Sequence, residues 1–175
     1  MKKVLFTACL LLAFTIIAQA QSAEDFARRA FSKMEMEDFK GAIDDFSSAI
    51  RLQPDYEILY KAYFGRGISY FQNRKYRDAK RYFDRSIRIY QNDPEVYFWR
   101  AYAKYHIRRY SAASEIADYN RAIILKPDYA EAYFNRGQAR IKNKSHRAGC
   151  SDLRKAYELG FEEAEIHIRI HCGEL

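Results

Sequence analysis

The side chains best spaced for chemistry lie near the C-terminal end. His167 and His171 are four residues apart, Cys172 adjoins them, and Cys150 stands 22 positions before Cys172. Histidines at i and i+4 share one face of a helix, so with a cysteine they could furnish zinc ligands. The two cysteines could instead oxidise, and in an exported chain paired thiols do so by default. Since no second matched pair of ligands accompanies the histidines, a Cys150–Cys172 disulfide is the expectation and a metal site the rival. Closing a loop of about 20 residues would tie down the last segment by roughly 3 kcal/mol.

The other reactive candidates are weaker. His106 and His146 come without a nucleophile elbow, a phosphate loop or the histidine spacing of a metalloprotease. Gly65-Arg66-Gly67 superficially suggests a phosphate loop, but it falls inside a helical pattern, where close packing calls for glycine equally. Arg66, Arg100 and Arg136 recur at equivalent places and read as solvent-facing or paired with acids on neighbouring helices. The chain therefore reads as no enzyme, with no metal and no cofactor expected.

Around these residues the sequence is periodic. Tyr63-Phe64-Gly65-Arg66-Gly67, Tyr97-Phe98-Trp99-Arg100-Ala101 and Tyr133-Phe134-Asn135-Arg136-Gly137 are copies of one phrase, 34 and 36 residues apart. A weaker copy, Phe26-Ala27-Arg28-Arg29-Ala30, lies 37 residues before the first. Such a period signals stacked supersecondary units. Within each unit apolar residues recur three or four apart, as on a helix, and Pro54 and Pro127 close similar phrases, Ala49 to Gln53 and Ala122 to Lys126. Counting each unit from three residues before its lead aromatic puts a small residue at position 8: Ala30, Gly67, Ala101 and Gly137. Position 20 is small in three units, at Ala42, Ala79 and Gly149, and position 24 is large, at Phe46, Phe83, Tyr119 and Leu153. Two helices approach closely only where side chains are minimal, so positions 8 and 20 mark the crossing of a helical hairpin.

These aromatic, small and proline positions, recurring in step over about residues 23 to 160, make the chain resemble the tetratricopeptide repeat family, with its 34-residue helix-turn-helix unit. The resemblance implies an all-α solenoid of four helical hairpins (about 23–56, 60–93, 94–129 and 130–160, within 21–160) with a C-terminal capping helix and tail at 161–175. It also implies a binding scaffold. Glu57 to Leu59 are extra between the first two units, Gln91 replaces the second closing proline, and Leu159-Gly160 ends the fourth unit with a glycine suited to a left-handed helix end. The third unit carries two extra residues near Ser111 to Ser114, and strict counting puts Glu115 at its small position. A carboxylate there would be costly, so a local shift is expected, with Ala112 or Ala113 at the crossing and Glu115 turned outward. In the cap, Ile166 and Ile170 read as the packing face.

In this family positions 5, 9 and 12 of the first helices tend to face the concave groove. Here they are Ala27, Phe31 and Met34; Phe64, Ile68 and Phe71; Phe98, Tyr102 and Tyr105; and Phe134, Gln138 and Ile141. Either these residues pack between successive helices, or several stay exposed and anchor an extended or helical peptide. Members that grip a C-terminal carboxylate use lysine, asparagine and arginine at set first-helix positions. The corresponding sites here hold Phe64, Ile68 and Trp99, with Asn135 the one polar match, so a carboxylate clamp is not expected.

The first twenty residues stand apart from the repeats. Lys2 and Lys3, the apolar run Val4 to Ala18 and Ala18-Gln19-Ala20 together form the pattern of a signal peptide (1–20) cleaved after Ala20. An uncleaved anchor is the alternative, but the run is shorter than the roughly 20 residues that span a bilayer. A periplasmic or secreted protein follows. Loss of Lys2 and Lys3 lowers the formal charge from +7 to +5. Export argues against nucleic acid as the partner of that excess. Arg74, Lys75, Arg77, Lys80, Arg81, Arg85 and Arg88 concentrate it on one helix and its preceding turn. That surface is either a solvated outer face or a peripheral contact with anionic lipid or cell-wall polymer. The expected partner is a protein or peptide in the groove.

Overall fold

The computed structural model describes residues 22–173. Among them the chain forms the helices α1 (Ala23–Glu35), α2 (Phe39–Arg51), α3 (Tyr56–Gln72), α4 (Tyr76–Ile89), α5 (Pro94–Tyr105), α6 (Ala112–Leu125), α7 (Ala130–Lys142), α8 (His146–Glu158) and α9 (Ala164–Cys172). The proposed leader lies outside the described residues. No helix among those described is long and apolar enough to cross a membrane.

Local chemistry sets the helix boundaries. Ser22 and Asp25 form a reciprocal capping box at the start of α1, and the carboxylates of Asp38, Asp55 and Asp93 accept from the amides of Gly41, Ile58 and Glu95. Residues 36–38, 73–75 and 143–145 close three hairpins, each with one left-handed residue: Glu37, Arg74 and Lys144. The extra residues Glu57 to Leu59 lengthen α3 at its start, and Gly160 takes the left-handed conformation (φ 90°) after α8.

Each helix packs on its chain neighbours, so α1/α2, α3/α4, α5/α6 and α7/α8 are four hairpins stacked in sequence, with α9 laid on α8. The small positions are where the sequence puts them. A Cβ on Gly67 would lie 2.5 Å from the Phe83 ring, and one on Gly149 would lie 2.8 Å from the carbonyl oxygen of Gly137. Ala30, Ala42, Ala79 and Ala101 are fully buried, as are Phe46, Phe83 and Leu153 from the large position. Burying one such side chain contributes about 2 kcal/mol, so the seams carry the array's stability.

Two expectations fail. The extra residues of the third unit are absorbed in the loop 106–111, where Ile107 is buried, and α6 then starts in step with the other second helices. Glu115 therefore occupies the crossing position itself and is 1% exposed, with Ala112 and Ala113 a turn earlier. A loop can take up two residues cheaply, whereas shifting α6 would pull Asp118 and Tyr119 out of the places their packing requires. The cap is also turned the other way: Ala164 and Ile168 are fully buried, while Ile166 and Ile170 are exposed. With α9 on one side of α8, a narrow Ala/Ile stripe suffices.

Candidate functional site

Tyr105, at the end of α5, is the most exposed side chain of the predicted groove. It is 49% exposed. Further back the groove residues have closed on one another. Phe71 and Phe98 are buried, Phe71 against Trp99, Tyr102 and His106, and Phe98 against Tyr119 and Tyr129. Phe64 and Ile68 are half-buried beside Phe83 and its neighbours. Tyr102, Phe134, Gln138 and Ile141 are half-buried. Phe134 meets Phe161 and His167 from the segment that includes α9. Packing between repeats thus buries Ala27, Phe71 and Phe98 and half-buries the rest of the stripe, leaving Phe31 and Tyr105 as its exposed members.

α1 and α3, and α3 and α5, lie side by side, but α5 and α7 approach each other less closely. Here a cavity of about 250 Å³ opens, lined by Tyr105, Glu115, Tyr119, Asn135, Gln138, Ala139, Ile141, Lys142, His167 and His171. It unites three predicted groove residues, Tyr105, Gln138 and Ile141, with both histidines first weighed as metal ligands. Glu115, Lys142 and the histidines were not foreseen as its walls. The signal for Glu115 was present, since counting alone placed it at the crossing.

The carboxylate of Glu115 is sealed from solvent and accepts no hydrogen bond; its nearest cation is Lys142, with Nζ 3.7 Å from Oε1. Burial raises its pKa above the ordinary carboxylate value, opposed by the Lys142 charge. Lys142 is itself 55% exposed, and its ammonium lies 5.2 Å from the centre of the Tyr105 ring. Burial also raises the Tyr119 phenol well above its usual value.

A second constellation runs through the hairpins. Arg29, Arg100 and Arg136 each fork onto a buried carboxylate of the partner helix, Asp45, Asp118 and Asp152. Lys33, Lys104 and Arg140 reach the same three acids. Of the recurrent arginines Arg66, Arg100 and Arg136, the last two are thus paired with acids of the neighbouring helix, and Arg66 is not. In the second unit aromatics replace the triad: Tyr82 stands where the acid would be, Arg66 lies 4.3 Å over its ring, and Tyr70 stacks on it at 5.1 Å.

Cys150 and Cys172 form a disulfide, their Cα atoms 5.6 Å apart, which ties α8 to the end of α9. Among the described residues no group of three or more histidine, cysteine or acidic side chains is arranged to hold a metal ion.

Comparison with known proteins agrees with this architecture. Residues 60–93 and 130–159 match family profiles described as tetratricopeptide repeat, and residues 109–144 one described as TPR repeat. The DnaJ homolog subfamily C member 7 homolog of Dictyostelium discoideum is 28% identical over 158 residues, covering 81% of this chain and 28% of that protein. Human tetratricopeptide repeat protein 13 is 27% identical over 124 residues, covering 71% of this chain and 14% of its own length. The chain thus spans less than a third of these relatives. Among solved structures, a tetratricopeptide repeat protein from Parabacteroides merdae superposes with a TM-score of 0.75 at 19% identity, covering 86% of this chain and 59% of that one. MamA from Desulfovibrio magneticus gives 0.72 at 15% identity, over 82% and 78%. The first TPR of Spaghetti (RPAP3), solved bound to the HSP90 peptide SRMEEVD, gives 0.60 at 25% identity, over 63% of this chain and 88% of that one.

Proposed function

Because the chain belongs to the tetratricopeptide repeat family, we propose that it is a non-catalytic scaffold that holds another protein or peptide along its first helices. The observation that carries this reading is the cavity bordered by the aromatic and amide side chains of Tyr105, Asn135 and Gln138 together with Ile141, beside the half-buried Tyr102 and Phe134. Tyrosine supplies large contact area with little rotamer entropy to lose, and its hydroxyl orients a bound chain. The RPAP3 structure bound to a peptide supports the mode of binding. A grip on a C-terminal carboxylate is not part of this proposal, since Phe64, Ile68 and Trp99 stand at the clamp positions.

The site of action in this proposal is the periplasm or the extracellular space. The leader pattern of residues 1–20 supports export, and so does the Cys150–Cys172 disulfide, because reducing compartments rarely keep such bonds.

The test is affinity capture from an envelope extract with the wild-type chain and a Tyr102→Ser/Tyr105→Ser variant. Loss of a captured partner, with the melting temperature held within a few degrees, is the expected result; unchanged recovery rejects the groove.

A second reading has its own observation. Arg74, Lys75, Arg77 and Arg108 converge around a shallow opening between the turn before α4 and the loop after α5. That surface suits peripheral attachment to anionic lipid or cell-wall polymer. Sedimentation with anionic vesicles that disappears with rising salt would favour it, and sedimentation indifferent to Arg74→Gln/Arg77→Gln would reject it.

A further inference from the structure

From the cavity between α5, α7 and α9 we infer that the occupant of the groove inserts one cationic side chain, of arginine or lysine type, against Glu115. The inference rests on the groove reading above and names the chemistry by which the groove selects its peptide.

The first support is the position of the carboxylate. Ala42, Ala79 and Gly149 fill the same place in the other hairpins and seal it. Glu115 instead brings two acceptor oxygens to a cavity wall, 1% exposed, with no hydrogen bond to either. A buried acceptor left unsatisfied is costly, and a donor-rich ligand removes that cost.

The second support is the rest of the wall. Asn135 donates one amide hydrogen to the Glu131 carbonyl, and the Gln138 amide nitrogen lies 3.4 Å from the His167 ring nitrogens. The carbonyl oxygens of both side chains are therefore the acceptors that remain for a ligand. Tyr105 adds an aromatic face. Carboxylate, amide oxygens and ring together suit a guanidinium or ammonium.

The third support is Lys142, which already places an ammonium between Glu115 and the Tyr105 ring, at 3.7 Å and 5.2 Å. It is the last residue of α7 and is 55% exposed, so its chain is free to swing into solvent. Lys104, the other nearby cation, is committed to Asp118 and the Ser114 carbonyl. Lys142 thus stands in for the ligand's charge and yields its place on binding.

The test is an NMR titration of the full chain at fixed ionic strength with ethylguanidinium, butylammonium, butyramide and butyrate. The two cations should shift the amide signals of residues 115, 138, 142 and 167 saturably, and the neutral and anionic probes should not. Glu115→Gln should weaken cation binding at least tenfold. Lys142→Met, which removes the competing internal ammonium, should strengthen it several-fold, an outcome no purely structural role for Glu115 predicts. Equal response to butyramide, or indifference to both substitutions, overturns the inference. A blocked pentapeptide, acetyl-Gly-Gly-Arg-Gly-Gly-amide, should bind more tightly than ethylguanidinium; an equal or weaker affinity overturns the assignment to a peptide side chain. A flat cation titration combined with loss of the captured partner in Tyr102→Ser/Tyr105→Ser would sink this inference and leave the groove standing.

Discussion

The third and fourth hairpins share one framework and differ at its centre. Both clamp their helices with an arginine forked onto a buried aspartate, Arg100 on Asp118 and Arg136 on Asp152. In the fourth, Gly137 and Gly149 let backbone meet backbone. In the third, Ala101 faces a helix that carries Glu115 at the same step, and a cavity opens beside it. Between adjacent copies of one repeat, a single side chain at the crossing thus separates a sealed seam from a polar pocket, provided the clamp holds both in place.

The most damaging change should strike what the two hairpins share. Asp118→Asn or Asp152→Asn leaves an arginine and a second cation without their buried carboxylate, and each should lower the unfolding free energy by about 4 kcal/mol in denaturant melts. Comparable losses at both sites would uphold the common framework; a negligible loss at either would break it. Cys172→Ser acts on the fourth hairpin alone. It should cost about 3 kcal/mol and speed hydrogen exchange in α9 while α3 and α4 stay protected.

The crossing itself is tested by one substitution in two places. Gly149→Ala should destabilise by about 2 kcal/mol through its clash with the Gly137 carbonyl and Ile141, even though alanine is the better helix former. Glu115→Ala, at the equivalent step, should stay within about 1 kcal/mol of wild type, because it removes a buried charge along with its packing. Equal costs would mean that the two crossings do not differ as described.

The smallest effect is a pH dependence. Burial raises the Glu115 pKa in the folded chain, so the folded state binds more protons than the unfolded one between the ordinary carboxylate value and the raised one. Stability then falls as pH rises through that window. Glu115→Gln should therefore gain about 1 kcal/mol near pH 7, and the gain should shrink toward zero in acid, as read by melts across pH. A pH-independent difference would refute a buried, titrating carboxylate.

Much of the fold was legible because packing repeats itself. Ala30, Gly67, Ala101 and Gly137 mark the crossings from one side, and Phe46, Phe83, Tyr119 and Leu153 are buried beside them, since close helix approach allows few residue types. The disulfide partners were legible for a similar reason, a short return over one helix pair. The cavity was not. Its walls come from α5, α6, α7 and α9, and the outward reading of Glu115 relied on the cost of burying charge, which the structure accepts. Nor could spacing tell Phe71 and Phe98, which are buried, from Tyr105, which is not; the stripe is the same, and neighbouring helices decide which members it covers.

The amino-acid sequence by itself determined the helices, their pairing into hairpins and the order in which they stack, because local periodicity and small residues at crossings act over one repeat. Only the tertiary structure decided where the stack opens and what lines the opening. Exposure and charge at Glu115 depend on how the loop 106–111 absorbs its extra residues and on how far α7 and α9 stand from α5, distances set by all the seams together.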